Sequence, residues 1–134
     1  VTGTLYAISL SKWEALPSSC SIKLLCVCHP PSPLPKGWVH VPYLAPSPSL
    51  WRRVQRVKEK GEWNEQAFRE HYTPRFNKEM RENERSLLAF KGIAKRLDGG
   101  ADIAIACFCS NPDMCHRKLI AKSFEKYGYR VVLM

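Results

Sequence analysis

The chain has no long hydrophobic run. None of its apolar stretches approaches the roughly 20 residues that a membrane-spanning helix requires, so no membrane partner is expected. The N-terminus carries no basic segment leading into an apolar stretch, and no secretory signal is expected there. Acidic residues are scarce. Asp and Glu number 12 against 21 Lys and Arg, giving a net charge of +9 and a pI near 9.5. That balance suits nucleotides, nucleic acid or an acidic protein face, and it suits plain solubility equally well. No Cys-x-x-Cys occurs, so neither a thioredoxin-type redox pair nor a pair of zinc knuckles has its usual spacing. There is no internal repeat, and one proline-rich stretch is the sole low-complexity segment.

What the chain does have is clustered cysteine. Five of the six cysteines fall in two groups, Cys26/Cys28 and Cys107/Cys109/Cys115. Two cysteines at i and i+2 of a strand share a face and rarely pair with each other. The clustering therefore argues against a disulfide framework. It favours free or metal-bound thiols in a reducing compartment, the cytoplasm. With 134 residues and 45% apolar content, the chain reads as a single domain over 1–134, built on one core.

Thr4–Leu10 predicts a first strand. Ile22–Cys28, a short continuous apolar run, predicts a second strand buried on both faces. His29–Pro48 holds seven prolines and predicts an ordered loop, with a brief extended piece at Trp38–Val41. Ser47-Pro48-Ser49 starts a helix that ends at Gly61 and exposes Arg52, Arg53, Arg56 and Lys58. A second helix begins near Asn64 and is kinked or restarted at Thr73-Pro74. Leu87, Phe90, Ala94 and Leu97 mark a further helix that ends at Gly99-Gly100. Asp102–Cys109 is the clearest strand, followed by a helix capped by Asn111 or Asp113 and a last strand at Tyr129–Leu133. The expected fold is α/β: a mainly parallel sheet of four or five strands, flanked by helices, with a proline-rich loop.

The residues that can carry chemistry gather at Ile103–Arg117. A helix starting there would lower the pKa of a thiol in its first turn and would also bind an anion. Cys109, Cys115 and His116 are the catalytic candidates. Arg117, His116, Ser110, Asn111 and the cap residue Ser47 are the candidate ligand contacts. The bland alternative is that each cysteine is a small core hydrophobe and His116 a hydrogen-bonded core side chain. No resident cofactor is expected. If a metal is held, zinc suits the donors, and Cys28, His29, Cys107, Cys109 and Cys115 are its candidate ligands. A thiol–disulfide role would pair Cys109 with Cys115 across the loop. Cysteine phosphatases place five residues between Cys and Arg. Here seven separate Cys109 from Arg117 and nine separate Cys107 from it, so that class is not assigned.

These motifs resemble the DUF488 family, a set of small bacterial, archaeal and phage α/β proteins. The resemblance runs from about Leu44 to the C-terminus. It is carried by Leu44-Ala45-Pro46-Ser47 leading into a helix, by Trp63 and Tyr72, and by Cys107 followed eight residues on by Cys115-His116-Arg117, with Pro112 in the loop. Many relatives have an acidic residue where this chain has Cys109, and Asp-Val-Arg where it has Cys26-Val27-Cys28. The resemblance implies the fold and the site, and leaves the activity open.

The leading expectation is binding or processing of a phosphate-bearing ligand, a nucleotide or nucleic acid, at the Cys-His-Arg loop. The alternatives are a non-enzymatic interaction module with structural or zinc-binding cysteines, and a basic nucleic-acid-binding protein. Whether the chain is an enzyme and how it oligomerises are not written in the sequence.

Overall fold

A computed structural model describes residues 2–109 and 111–134. Five parallel strands form one sheet in the order β3-β2-β4-β1-β5. They are β1 (Thr4–Ser9), β2 (Cys20–Leu25), β3 (Trp38–His40), β4 (Asp102–Cys107) and β5 (Arg130–Leu133). Near-continuous apolar runs such as Ile103–Cys107 suit a strand with neighbours on both sides and cover on both faces. β4 is that strand, with β2 and β1 flanking it. Its Ile103 and Ile105 pack with Leu5 and Ala7 in the main core. Ala104 and Ala106 turn the other way, toward Ile8, Leu25 and Trp38.

The main core is closed by helices α1 (Pro48–Glu59), α3 (Thr73–Glu82), α4 (Glu84–Asp98) and α5 (His116–Lys126), which contribute Leu50, Phe76, Met80, Ile93, Leu97, Ile120 and Phe124. Ser47 caps α1 as its sequence implies, with the side chain accepting from the Leu50 N–H and Pro48 in the first turn. Gly61 (φ 71°) and Gly128 (φ 90°) occupy the left-handed conformation just past α1 and α5.

At Thr73-Pro74 the helix is distorted and continues. Helix α2 (Glu65–Ala67) runs into a π-helical turn at Phe68–Tyr72 and on into α3. Pro74 brings no N–H and its ring collides with an α-helical carbonyl one turn back, and widening the preceding turn relieves both problems. The Thr73 hydroxyl donates to the Phe68 carbonyl at 2.9 Å within that wide turn.

Several details differ from the sequence reading. β2 begins at Cys20 and ends at Leu25, so Cys26 and Cys28 lie beyond the strand. β4 ends at Cys107 rather than Cys109. The proline-rich segment contains a 3-10 turn at Pro42–Leu44, where Pro42 stands at a first position that needs no N–H. Among the described residues no helix is long and apolar enough to cross a membrane.

Candidate thiol site at the sheet edge

All five strands run the same way, so β2 and β4 end side by side. The carboxyl edge of an open parallel sheet is where ligands of α/β folds sit. After β2 the Cys26 N–H still donates to the Ala106 carbonyl at 2.8 Å, and His40 Nε2 donates to the Val27 carbonyl at 2.7 Å. These bonds hold the Cys26–Cys28 segment beside the end of β4.

Beyond Cys107 the chain turns outward at exposed Phe108 and returns at a 3-10 turn, Pro112–Met114. Asn111 caps that turn, accepting from the Asp113 N–H at 2.9 Å. The cap of α5 is neither Asn111 nor Asp113. It is Cys115, extended at φ −136° and ψ 147°, with no side-chain cap bond. The 3-10 turn uses up the Asn-Pro signal, so the helix starts later than that signal suggests. Cys115 therefore sits at the head of the helix and turns inward, and it is almost wholly buried.

Four side chains converge here. Sγ of Cys107, Cys109 and Cys115 and a ring nitrogen of His116 all lie within 4.8 Å of one another. The Cys107 and Cys115 sulfurs are 2.9 Å apart. His116 Nε2 is 2.5 Å from the Cys26 carbonyl, which has no proton to give, so Nε2 carries the hydrogen. That leaves the Nδ1 lone pair facing Cys115 Sγ at 3.7 Å. Behind this group lies Arg117, 1% exposed. Its Nη1 donates to Cys107 Sγ at 3.1 Å and to the Cys109 carbonyl at 2.8 Å. Arg117 Nε has no partner among the described residues.

A buried guanidinium needs a negative partner, and the thiol cluster supplies one. Hydrogen bonds from the Cys109 and then the Cys115 thiol hold Cys107 far below the ordinary thiol range, and the Arg117 charge adds to this against the cost of burial. Giving its proton to Cys107 keeps Cys109 up at about 11. Burial, and then the same sharing with Cys107, raises Cys115. Burial lowers His116, so its ring is neutral near neutral pH. The balance thus favours Cys107 as the thiol that loses its proton first, facing Arg117. The sequence reading took Cys107 as a motif residue and a metal candidate but not as the catalytic thiol, because helix-start reasoning points to Cys115. The available signal was Arg117, whose charge had to be neutralised wherever the helix buried it.

The cluster floors a pocket of about 220 Å³. Cys28, His29, Trp51, Lys58, Trp63 and Phe108 form its walls. His29 packs edge-on to Trp51 at 4.5 Å, and Lys58 lies over the Trp63 ring at 5.7 Å. Of the sequence candidates, Cys107, Cys109, Cys115, His116, Cys28 and His29 all reach this pocket, although Cys28 and His29 are not part of the four-ligand group. Arg117 does not line it, since its fork is turned toward Cys107 and the Cys109 carbonyl. Asn111 spends its side chain on the local turn. Ser47 stands on another depression, with its hydroxyl donating to Glu79 at 2.5 Å. Ser110 lies outside the described residues.

Support for the floor comes from an aromatic ladder. Phe68, Tyr72 and Phe76 stack at 5.3 and 5.8 Å along the π turn and α3, and Phe76 meets the His116 ring at 5.7 Å. Trp63 packs edge-on against the first two rings.

A parallel α/β sheet with a buried thiol–imidazole–guanidinium cluster at its carboxyl edge defines the class of this protein. The sequence profile of DUF488-N3a, described as the active DUF488-N3 subclade, matches residues 17–128, and the chain belongs to that family. The match reaches well upstream of Leu44 and takes in β2 and the proline-rich loop. No curated protein and no solved structure matches the chain.

Proposed function

We propose that the chain is a cysteine-dependent enzyme that takes a phosphate-bearing ligand, a nucleotide or a nucleic-acid end, into this pocket and acts on it through the Cys107 thiolate. One observation carries the reading: Arg117 Nη1 stands 3.1 Å from Cys107 Sγ at the carboxyl end of β4, under an open pocket. A thiolate is the nucleophilic form of cysteine, and a buried cation beside it keeps it in that form. The matched subclade's description as active agrees with this.

The walls suit the ligand. Trp51, Trp63, His29 and Phe108 offer faces and edges to a planar base, and aromatic stacking on a base is worth about 1–3 kcal/mol. The cation at the pocket wall is Lys58, and Arg52 and Arg53 share its helix. Phosphate contact therefore falls to α1 rather than to Arg117. The test is a tryptophan-fluorescence titration with a nucleoside monophosphate and with a short single-stranded oligonucleotide. Saturable quenching that weakens about tenfold in Lys58→Ala, the cost of one charged contact, supports the reading. No binding of either probe refutes its ligand half.

A second reading has its own observation. Three thiols and the free Nδ1 of His116 can hold a metal ion, and zinc accepts three sulfurs and one nitrogen. The His116 Nε2–H bond to the Cys26 carbonyl is the outer contact that metal-bound imidazoles make. Charge also balances: zinc with three thiolates and Arg117 sums to zero, as do one thiolate and Arg117 without metal. This reading predicts about one zinc per purified chain, and unfolding on chelation. Metal-free protein that stays folded excludes it.

A further inference from the structure

We infer that the groove between α3, α4 and α5 is a docking site for an acidic amphipathic helix of a partner protein. That helix lays apolar side chains on the groove floor and sets its carboxylates against the rim. The inference is independent of the thiol pocket and of the function proposed for it.

The groove holds about 630 Å³ and opens between three of the helices that close the main core. Its floor is apolar, formed by Phe76, Met80, Phe90 and Ile120. Leu87, 42% exposed, and Tyr127, 80% exposed, extend that apolar surface to the edge. Exposed apolar side chains that continue one depression, rather than standing singly, mark an interaction surface. The rim is cationic. Arg81 comes from α3, Lys91 from α4, and Lys122 and Lys126 from α5, and no Asp or Glu lines the groove. All four cations are exposed. Among the described residues the ion pairs are Arg69 with Glu65 and Lys118 with Asp113, so none of the four is neutralised within the chain. An apolar floor inside a ring of cations is complementary to apolar side chains flanked by carboxylates.

The dimensions suit a helix. α3 lines the groove from Thr73 to Arg81 and α5 from Leu119 to Tyr127, each about two turns or about 12 Å. Anchors at i, i+4 and i+7 of a docked helix span about 10 Å, the usual helix-in-groove arrangement. Two other occupants fit less well. A second copy of this chain carries the same net charge of +9 and would repel the rim. A nucleic acid would satisfy the cations but not the floor. Phe76 and Phe90 are stacked on Tyr72 and Phe124, so they offer little ring face to a base.

The experiment uses the full chain and three fluorescein-labelled peptides of about 15 residues, long enough to form a helix on binding. The first carries Leu at i, i+4, i+7 and i+11 with Glu and Ala elsewhere. The second has Gln for every Glu, and the third has Ser for every Leu. Fluorescence anisotropy gives the affinities, and methyl resonances of Met80, Leu87 and Leu119 locate the contact. The first peptide should bind and shift those methyls, and each of the other two should bind more weakly. Reversing two rim charges together, Lys122→Glu with Lys126→Glu, should weaken the first peptide about tenfold. Leu87→Ser should weaken it about fivefold. These side chains are exposed, so unchanged thermal midpoints will show that the fold is kept. The inference is overturned by no saturable binding at millimolar chain, by equal affinity for the Glu and Gln peptides, by an unchanged affinity in the double variant, or by shifts at the thiol pocket in place of the groove. A single-stranded oligonucleotide that displaces the peptide at lower concentration also overturns it, because the face then belongs to nucleic acid.

Discussion

Replacing Cys107 with serine should change how stability depends on pH more than it changes the fold. The hydroxyl keeps an acceptor in front of Arg117 Nη1 and removes the one thiol held far below its ordinary range by its Cys109 and Cys115 hydrogen bonds. In the folded chain Cys107 has already lost its proton at a pH where the unfolded chain still holds it. The unfolded state therefore binds more protons, and stability rises with pH across that interval. The contribution is complete above the unfolded thiol value of about 8.5 and is lost as pH falls toward the folded value. Neighbouring groups act outside the window. His116, lowered by burial, contributes only below about 6.5, and Cys109 and Cys115, both raised, only above about 8.5. Between those limits the slope approaches about 1.4 kcal/mol per pH unit at the acid end and halves at the alkaline end, a change on the order of 2 kcal/mol across the window. Urea unfolding of both proteins at the two ends of the window measures it. Wild type should lose that amount on going to the lower pH while Cys107→Ser stays nearly flat. Parallel slopes in the two proteins would refute the argument.

Other positions give simpler expectations. Arg117→Ala should cost about 3–5 kcal/mol, because it leaves a buried charge unpaired, and denaturant midpoints will show it. Phe76→Ala should cost about 3–5 kcal/mol through the cavity it leaves, and it should also shift the His116 ring resonances, since the ladder ends on that ring. Ser47→Ala should lose about 1 kcal/mol of capping and leave nucleotide titration curves unchanged, because its hydroxyl serves α1 and Glu79 rather than the pocket. Gly3→Ala should lower the thermal midpoint sharply, since a Cβ there would stand 1.7 Å from the Ala101 carbonyl oxygen.

The main elements were legible because their signals were local. Apolar strands between amphipathic helices gave the parallel sheet, and the Ser47-Pro48 pair placed the start of α1. The site was legible in composition but not in roles. Cys107, Cys115, His116 and Arg117 could be named from the sequence, yet two facts were non-local. The Asn111-Pro112 signal caps a three-residue 3-10 turn, which moves the start of α5 to His116 and turns Cys115 inward. Arg117, in the first turn of α5, points into the protein toward Cys107, ten residues earlier, rather than out toward a ligand. Nothing in a helix-start pattern sets that direction. It follows from the way α5 packs on β1 and β4, which also sends Ile120 and Phe124 into the core. The π turn escaped notice for a related reason. A Thr-Pro pair reads as a kink or a restart, and the stacked rings of Phe68, Tyr72 and Phe76, with the Thr73 hydroxyl bond to the Phe68 carbonyl, span it.

The most direct test of the account is the ultraviolet absorbance of thiolate in the reduced chain. It is titrated from about pH 5 to about pH 9 in wild type and in Cys107→Ser. The account predicts about one thiolate per chain already present at the acid end, and its disappearance in the variant. A wild-type thiolate signal that rises only as an ordinary thiol does, near about pH 8.5, would contradict it.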